Sequence, residues 1–171
     1  MIKYLLVGAS ALVLAACSSY NLPDSPKLDS KKQWVVMPFN NYSGAAFASE
    51  QAEEITTSVF KEEEVNIKIY QVSDLNLLDT VLDPSIKTTA AKKWLADQKA
   101  DYIVTASVAE WKYKSGLDSE PSVAITLKIT DAKTNTLLWQ GTGAGNGWGR
   151  ENLAQTGMEV ISEMVEELDL H

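Results

Sequence analysis

The chain has 171 residues, with 15 Lys and Arg against 23 Asp and Glu, a formal net charge of −8. That length is one domain's worth. Its single cysteine, Cys17, and single histidine, His171 at the extreme C-terminus, exclude an intrachain disulfide, a Cys/His zinc cluster and a His-based nucleophilic dyad within one copy, and with them most familiar hydrolase chemistry. The apolar share of 45% against 22% charged is that of a folded soluble domain. The acidic balance repels nucleic acid and anionic headgroups, so a cationic partner is the electrostatic match. No nucleic acid, metal or cofactor is expected.

Residues 2 to 17 read IKYLLVGASALVLAAC: Lys3 is a short positive start, and Tyr4 to Ala16 form a mostly apolar stretch of thirteen residues. A bilayer-spanning helix needs about 20, whereas a secretory signal has this layout of charge, apolar run and small residues at the cut. The ending Leu14-Ala15-Ala16-Cys17 resembles the bacterial lipoprotein signal, in which the cysteine receives the lipid and becomes residue one. Ser18, rather than Asp, follows it, a sorting pattern that resembles outer-membrane lipoproteins. Residues 1–16 are thus expected to be removed, which takes away Lys3 and leaves a net charge of −9. From Ser18 to Gln33, Pro23, Pro26, four serines and scattered charges show no periodicity. This stretch, with Cys17, reads as a lipidated linker over 17–33, a coil spanning about 20–24 Å.

The folded part is expected over 34–171. Trp34 to Phe39 is a short apolar run closed by Asn40-Asn41, a buried first strand and its turn. From about Ala46 to Glu64 the apolar residues Ala48, Ala52, Ile55, Val59 and Phe60 recur at helical steps. Val65 to Val72 alternates with period two, a second strand. After a loop through Asp83-Pro84, Thr88 to Gln98 places Ala91, Trp94 and Leu95 at helical spacing. Tyr102 to Tyr113, Val123 to Thr130 and Leu137 to Gly143 are strand-like runs with short connections, hence an antiparallel meander. Arg150 to Leu170 is a last helix with the stripe Leu153, Gly157, Ile161, Met164 and Leu168. The order β-α-β-α-β-β-β-α predicts a single α/β domain, three helices on a mixed five-stranded sheet.

The glycine-rich run Gly141 to Gly149 does not carry a phosphate-binding pattern, since no three glycines meet GxGxxG and no GK[ST] follows. Its alternating glycines strip one face of an extended chain, which suits a bulge or the close approach of another backbone. Asn146 to Arg150 is then a flexible tip. There Trp148 sits between two glycines beside Arg150, the only arginine, either as an interfacial anchor or folded back over the sheet. Trp34, Trp94, Trp111 and Trp139 lie inside periodic elements and read as packing residues.

After Arg150 no Lys or Arg remains, yet Glu151, Glu159, Glu163, Glu166, Glu167 and Asp169 follow. Glu159/Glu163 and Glu163/Glu167 are like-charge i,i+4 pairs, each disfavoured by about 0.2–0.5 kcal/mol, and acids in a last helical turn oppose the helix dipole. The face is either a solvated, solubilising one or a functional electronegative surface. Asp118 and Glu120, in a meander loop, add two carboxylates without a sequence-local base. Paired carboxylates can flank a glycosidic bond, but nothing nearby signals a substrate cleft, and no enzymatic activity is expected.

Four strings carry a family resemblance: the lipid-signal ending at Cys17, Trp34-Val-Val-Met-Pro-Phe-Asn-Asn-Tyr-Ser-Gly44, Val108-Ala-Glu-Trp-Lys-Tyr-Lys-Ser-Gly-Leu-Asp-Ser-Glu-Pro121, and Trp139-Gln-Gly-Thr-Gly with Gly147-Trp-Gly-Arg150. Together they resemble the PelC family, outer-membrane lipoproteins of Pel exopolysaccharide export. The second string alone also resembles curli secretion lipoproteins and the lipoprotein activators of peptidoglycan synthases. The resemblance implies a fold of the TolB N-terminal/curli-lipoprotein type and a homo-oligomeric ring of about twelve subunits. The ring would lie on the inner leaflet beneath an outer-membrane β-barrel exporter, its electronegative funnel guiding a cationic polysaccharide. It also implies lipidation at Cys17 and membrane contact through Trp148 and Arg150. Asp118 and Glu120 are the candidate polymer-guiding acids. An activator of peptidoglycan synthases would need a longer reach toward the wall than this linker provides. A curli-type channel would need membrane-spanning hairpins, with about 9–11 residues per strand, from strands the domain already uses.

Overall fold

The computed structural model describes residues 18–72, 83–115, 119–148 and 151–171. Among the described residues there are seven strands: β1 (Ser19–Asn21), β2 (Trp34–Val36), β3 (Asn40–Asn41), β4 (Ile67–Ile69), β5 (Tyr102–Tyr113), β6 (Pro121–Asp131) and β7 (Leu137–Asn146). The three described helices are α1 (Ala48–Glu62), α2 (Pro84–Ala96) and α3 (Leu153–Glu166). The strands form one mixed sheet in the order β1-β7-β6-β5-β2-β4, with β3 pairing farther along β5. β2 runs parallel to β4 and β5, and the meander β5-β6-β7 is antiparallel.

The α/β class and the three helices agree with the sequence reading, but the sheet has seven strands rather than five. One addition is β3, the Asn40-Asn41 pair expected as a turn, which lies parallel to Ser107 and Val108. The other is β1, inside the stretch expected as a coil linker. That stretch is bound to the domain at several points along its length. Ser19, Tyr20 and Asn21 pair antiparallel with Ala144, Gly143 and Thr142. Leu28 is 1% exposed and bridges to Leu170. The cause lies in two core tryptophans: a buried indole N–H needs an acceptor. Trp34 Nε1 donates to the Asp29 carbonyl at 3.0 Å and Trp139 Nε1 to the Pro23 carbonyl at 2.9 Å. Residues 18–33 therefore belong to the domain, which is not confined to 34–171.

The main core lies between one sheet face and helices α1 and α3, with Trp34 against Phe60 and Tyr102 at ring-centroid distances of 5.4 and 4.5 Å. α2 covers the opposite face, packing Ala91, Trp94 and Leu95 on Val35 and Met37. It starts four residues earlier than expected: Asp83 is its N-cap, accepting from the Ser85 amide at 3.0 Å, with Pro84 at the first helical position. The bare glycine face of β7 receives side chains, not a backbone. A Cβ on Gly145 would lie 2.8 Å from Val160 Cγ2, and one on Gly143 2.9 Å from Met164 Sδ and 3.0 Å from Tyr20. α3 and β1 can approach β7 only because those positions lack side chains. Among the described residues no helix is long and apolar enough to cross a membrane.

Candidate functional site

Of the five singled-out residues, Cys17, Asp118 and Arg150 lie outside the described residues; Trp148 and Glu120 lie within them. Trp148 is 55% exposed, so it is not folded back over the sheet. The flexible tip expected over Asn146 to Arg150 lies partly outside the described residues, and where it is described the backbone is fastened. The Trp148 amide donates to Glu151 Oε2 at 2.8 Å, the Glu151 amide donates to the Trp148 carbonyl at 2.8 Å, and the Gly147 amide donates to Pro121 at 2.9 Å. Gly147 has no room for a side chain, because a Cβ would sit 2.5 Å from Glu151 Oε2, Pro121 Cγ and Thr156 Oγ1. Glu151, which from sequence reads as one more unpaired acid, is the clamp that presents the tryptophan. Its position just before the N-cap Asn152, three residues after Trp148, was the available signal.

The same end of the sheet collects several other groups. Tyr113, 49% exposed, closes β5 opposite Pro121, and Ser122 pairs with Asn146. Because β1 is antiparallel to β7 with Ser19 opposite Ala144, the chain enters β1 from this end. Lys112 and Lys114 have side chains 56% and 44% exposed here. Two exposed aromatics, two lysines and the start of β1 thus share one end.

Glu120 is not without a base. The β5–β6 hairpin brings Lys114 Nζ to 3.9 Å from Glu120 Oε2, while the Lys114 amide donates to the Glu120 carbonyl at 2.8 Å. Period-two pairing across a turn joins residues six apart, which a scan for adjacent bases does not see. Glu110 is likewise engaged: hydrogen bonds from Ser122 and Lys112 hold its carboxyl below the usual range. The acids of α3 differ. Glu159, Glu163, Glu166, Glu167 and Asp169 are exposed, and none forms an ion pair with a Lys or Arg among the described residues. Burial, with the fields of Glu163 and Glu159, raises the hydroxyl pKa of Tyr20 on the neighbouring β1. One negative surface without ion pairs among the described residues accordingly lies along α3, leading away from the Trp148 end.

A third cluster was not foreseen. Lys87 of α2, 6% exposed, places Nζ 2.8 and 2.9 Å from the two oxygens of Glu53 and 3.1 Å from Glu50 Oε1, both on α1. Glu53, 3% exposed, also accepts from the Phe39 amide at 2.9 Å. Burial raises the Glu53 pKa despite its cation. Glu50 is lowered: its burial is outweighed by the Ser49 hydroxyl and Lys87. Glu53 is enclosed with Lys87 and the Phe39 amide, whereas the Glu50 side chain stays 40% exposed. Among the described residues no His, Cys, Asp and Glu group could hold a metal ion.

No family model matches the sequence, and no match is found among curated proteins. Solved structures do match. The PelC dodecamer from Paraburkholderia phytofirmans superposes with a TM-score of 0.74 at 23% identity, covering 90% of this chain and 99% of that one. A variant of the same dodecamer in another crystal form gives 0.73 at 24% identity, covering 89% and 98%. The lipoprotein GNA1162 from Neisseria meningitidis gives 0.54 at 13% identity, covering 80% and 96%. The chain therefore has the fold of a PelC subunit over nearly its whole described length.

Proposed function

We propose that this protein is a PelC-type, non-enzymatic lipoprotein of exopolysaccharide export, anchored through Cys17 to the inner leaflet of the outer membrane. Its copies form a closed ring of about twelve subunits whose acidic surfaces guide a cationic polymer to an outer-membrane β-barrel exporter. The observation that carries this reading is the likeness of the fold to the subunits of a dodecamer over nearly the full length of both chains.

The strapped N-terminus adds a physical argument for the orientation. Cys17 is joined directly to Ser18, so the lipid-bearing residue is one Cα spacing, about 3.8 Å, from a residue that adjoins β1. The sixteen-residue tether is gone, and the end that meets the leaflet is the one carrying Trp148 and Tyr113. Aromatic rings of this kind settle at headgroup level, and Lys112, Lys114 and Arg150 suit anionic headgroups. A domain held this closely has still less reach toward the wall, against the synthase-activator alternative. The α3 acids then extend away from the membrane, where a polymer arriving from the periplasm meets them first.

The experiment is polymer secretion by Asp118→Asn/Glu120→Gln beside Glu163→Gln/Glu167→Gln. Each variant keeps shape and removes two charges per subunit, and repetition around a ring multiplies the lost field. Because Glu120 is paired and the α3 acids are not, the helix variant is expected to lose more secretion. Wild-type secretion in both variants would sink electrostatic guidance.

A further inference from the structure

Residues 18–33 form a strap whose contacts with the domain span most of the chain. Trp139 Nε1 meets the Pro23 carbonyl across 116 positions, and the Ser30 hydroxyl meets the His171 carbonyl across 141. β1 pairs with Thr142, Gly143 and Ala144, and Leu28 is held by the main chain of Asp169 and His171. Contacts of such separation form late, because the entropy of closing the loop opposes them until their partners are in place. Pro23, Pro26 and the lack of periodicity leave the strap no regular structure to form earlier. Its docking sites on β7 and beyond α3 exist only once the meander and the last helix have folded.

Once docked, the strap leaves Cys17 little freedom. Ser19 is paired with Ala144, and Ser18 Oγ lies 3.6 Å from where a Cβ on Gly145 would stand. Two residues span about 7 Å at most, so Cys17 stays within that distance of docked Ser19. Undocked back to Trp34, the same stretch is a coil spanning about 20–24 Å. The lipid reading needs two covalent steps at Cys17. A diacylglyceryl group passes from a phospholipid to the sulfur: a C–S bond forms, the C–O bond to the phosphate breaks, and the thiol proton leaves with the phosphate. Water then cleaves the Ala16–Cys17 amide, giving an Ala16 carboxylate and a Cys17 amine. Peptide segments are commonly gripped in extended form through main-chain groups, and β7 already engages those of Ser19 to Asn21. We infer that the strap is a latch that stands open while Cys17 is lipidated and cut, then closes on β7 and residues 169–171. Closing draws the domain onto the leaflet. The inference rests on the reading of Cys17 as the lipid site.

The test incubates full-length precursor, made by cell-free synthesis, with detergent-solubilised bacterial inner membranes, which supply the phospholipid and the processing enzymes. Intact mass reports the conversion. One sample is diluted from urea directly into the membranes; the other is folded first. The folded precursor is converted at least about tenfold more slowly, because only the fraction with an open strap is a substrate. Folded Leu28→Ala, in which the strap is loosened, is converted about tenfold faster than folded wild type. Lys87→Met weakens the domain on the α2 side, away from the strap, and is converted as slowly as folded wild type. The wild-type comparison decides the matter even if Leu28→Ala fails to fold. Equal conversion of folded and diluted wild type overturns the latch and leaves the lipid reading standing. Equal acceleration by Lys87→Met and Leu28→Ala also overturns it, since global unfolding would then admit the enzymes. Conversion in neither wild-type sample overturns the lipid reading of Cys17, and the latch with it.

Discussion

Replacing Leu28 with alanine tests whether residues 18–33 are part of the fold or a tether. Leu28 is 1% exposed, its amide donates to the Asp169 carbonyl at 2.9 Å, and its carbonyl accepts from the His171 amide at 3.1 Å. Around it, Ser30 accepts from the Asn66 amide at 2.9 Å and donates its own to the His171 carbonyl at 3.0 Å. Leucine-to-alanine truncation in a core costs about 2–5 kcal/mol. The strap can relax inward more readily than a central strand, which favours the lower half of that range. For a domain of this size each kcal/mol moves Tm by about 2–4 °C, so the melting temperature should fall by about 4 °C at least. Circular dichroism melts of the full-length protein in detergent measure it, with Asp24→Ala as the control on an exposed part of the same stretch. A Leu28→Ala melt equal to that control would return 18–33 to a free coil, and with it restore about 20 Å of reach.

Gly145→Ala should destabilise by about 1–3 kcal/mol, because the new methyl lies 2.8 Å from the branched Val160 and α3 must move to admit it; urea unfolding at equilibrium measures this. Lys87→Met leaves Glu53 buried without its cation, at a cost of about 3–5 kcal/mol near neutral pH. Burial already raises the Glu53 pKa above 4.5, and losing Lys87 raises it further. The folded state then holds a proton that the unfolded chain releases, so the deficit grows as pH rises through that window and shrinks in acid. Unfolding curves at acidic and neutral pH separate the two cases. Trp148→Ala should change stability by less than about 0.5 kcal/mol, because the ring is exposed and the clamp to Glu151 uses backbone groups. Its binding to anionic phospholipid vesicles should fall, whereas a large loss of thermal stability would return the ring to the core.

Periodicity carried the helices and the meander. The apolar steps of α1 and the alternation of β5 to β7 are set by which face meets the core, and β5 was legible to the residue. What escaped depended on partners distant in the chain. Residues 18–33 have no periodicity because they are fastened by backbone carbonyls to Trp34 and Trp139, a demand that lies in the tryptophans and not in the strap. Asn40-Asn41 has turn composition but is paired by β5. Asp83-Pro84, read as loop, was a cap followed by a first-turn proline. The site divides similarly: the place of Trp148 between glycines outside any periodic element was readable, while its exposure, the Glu151 clamp, the Lys114 partner of Glu120 and the buried Lys87–Glu53 pair arise from tertiary contacts.

The most direct measurement is the amount of cationic polysaccharide released by cells of the native host lacking this protein, compared with cells carrying it back as wild type or as Cys17→Ala. Without the protein the polymer should stay trapped in the periplasm, with release restored by the wild type and little restored by Cys17→Ala. Undiminished release in its absence would contradict it.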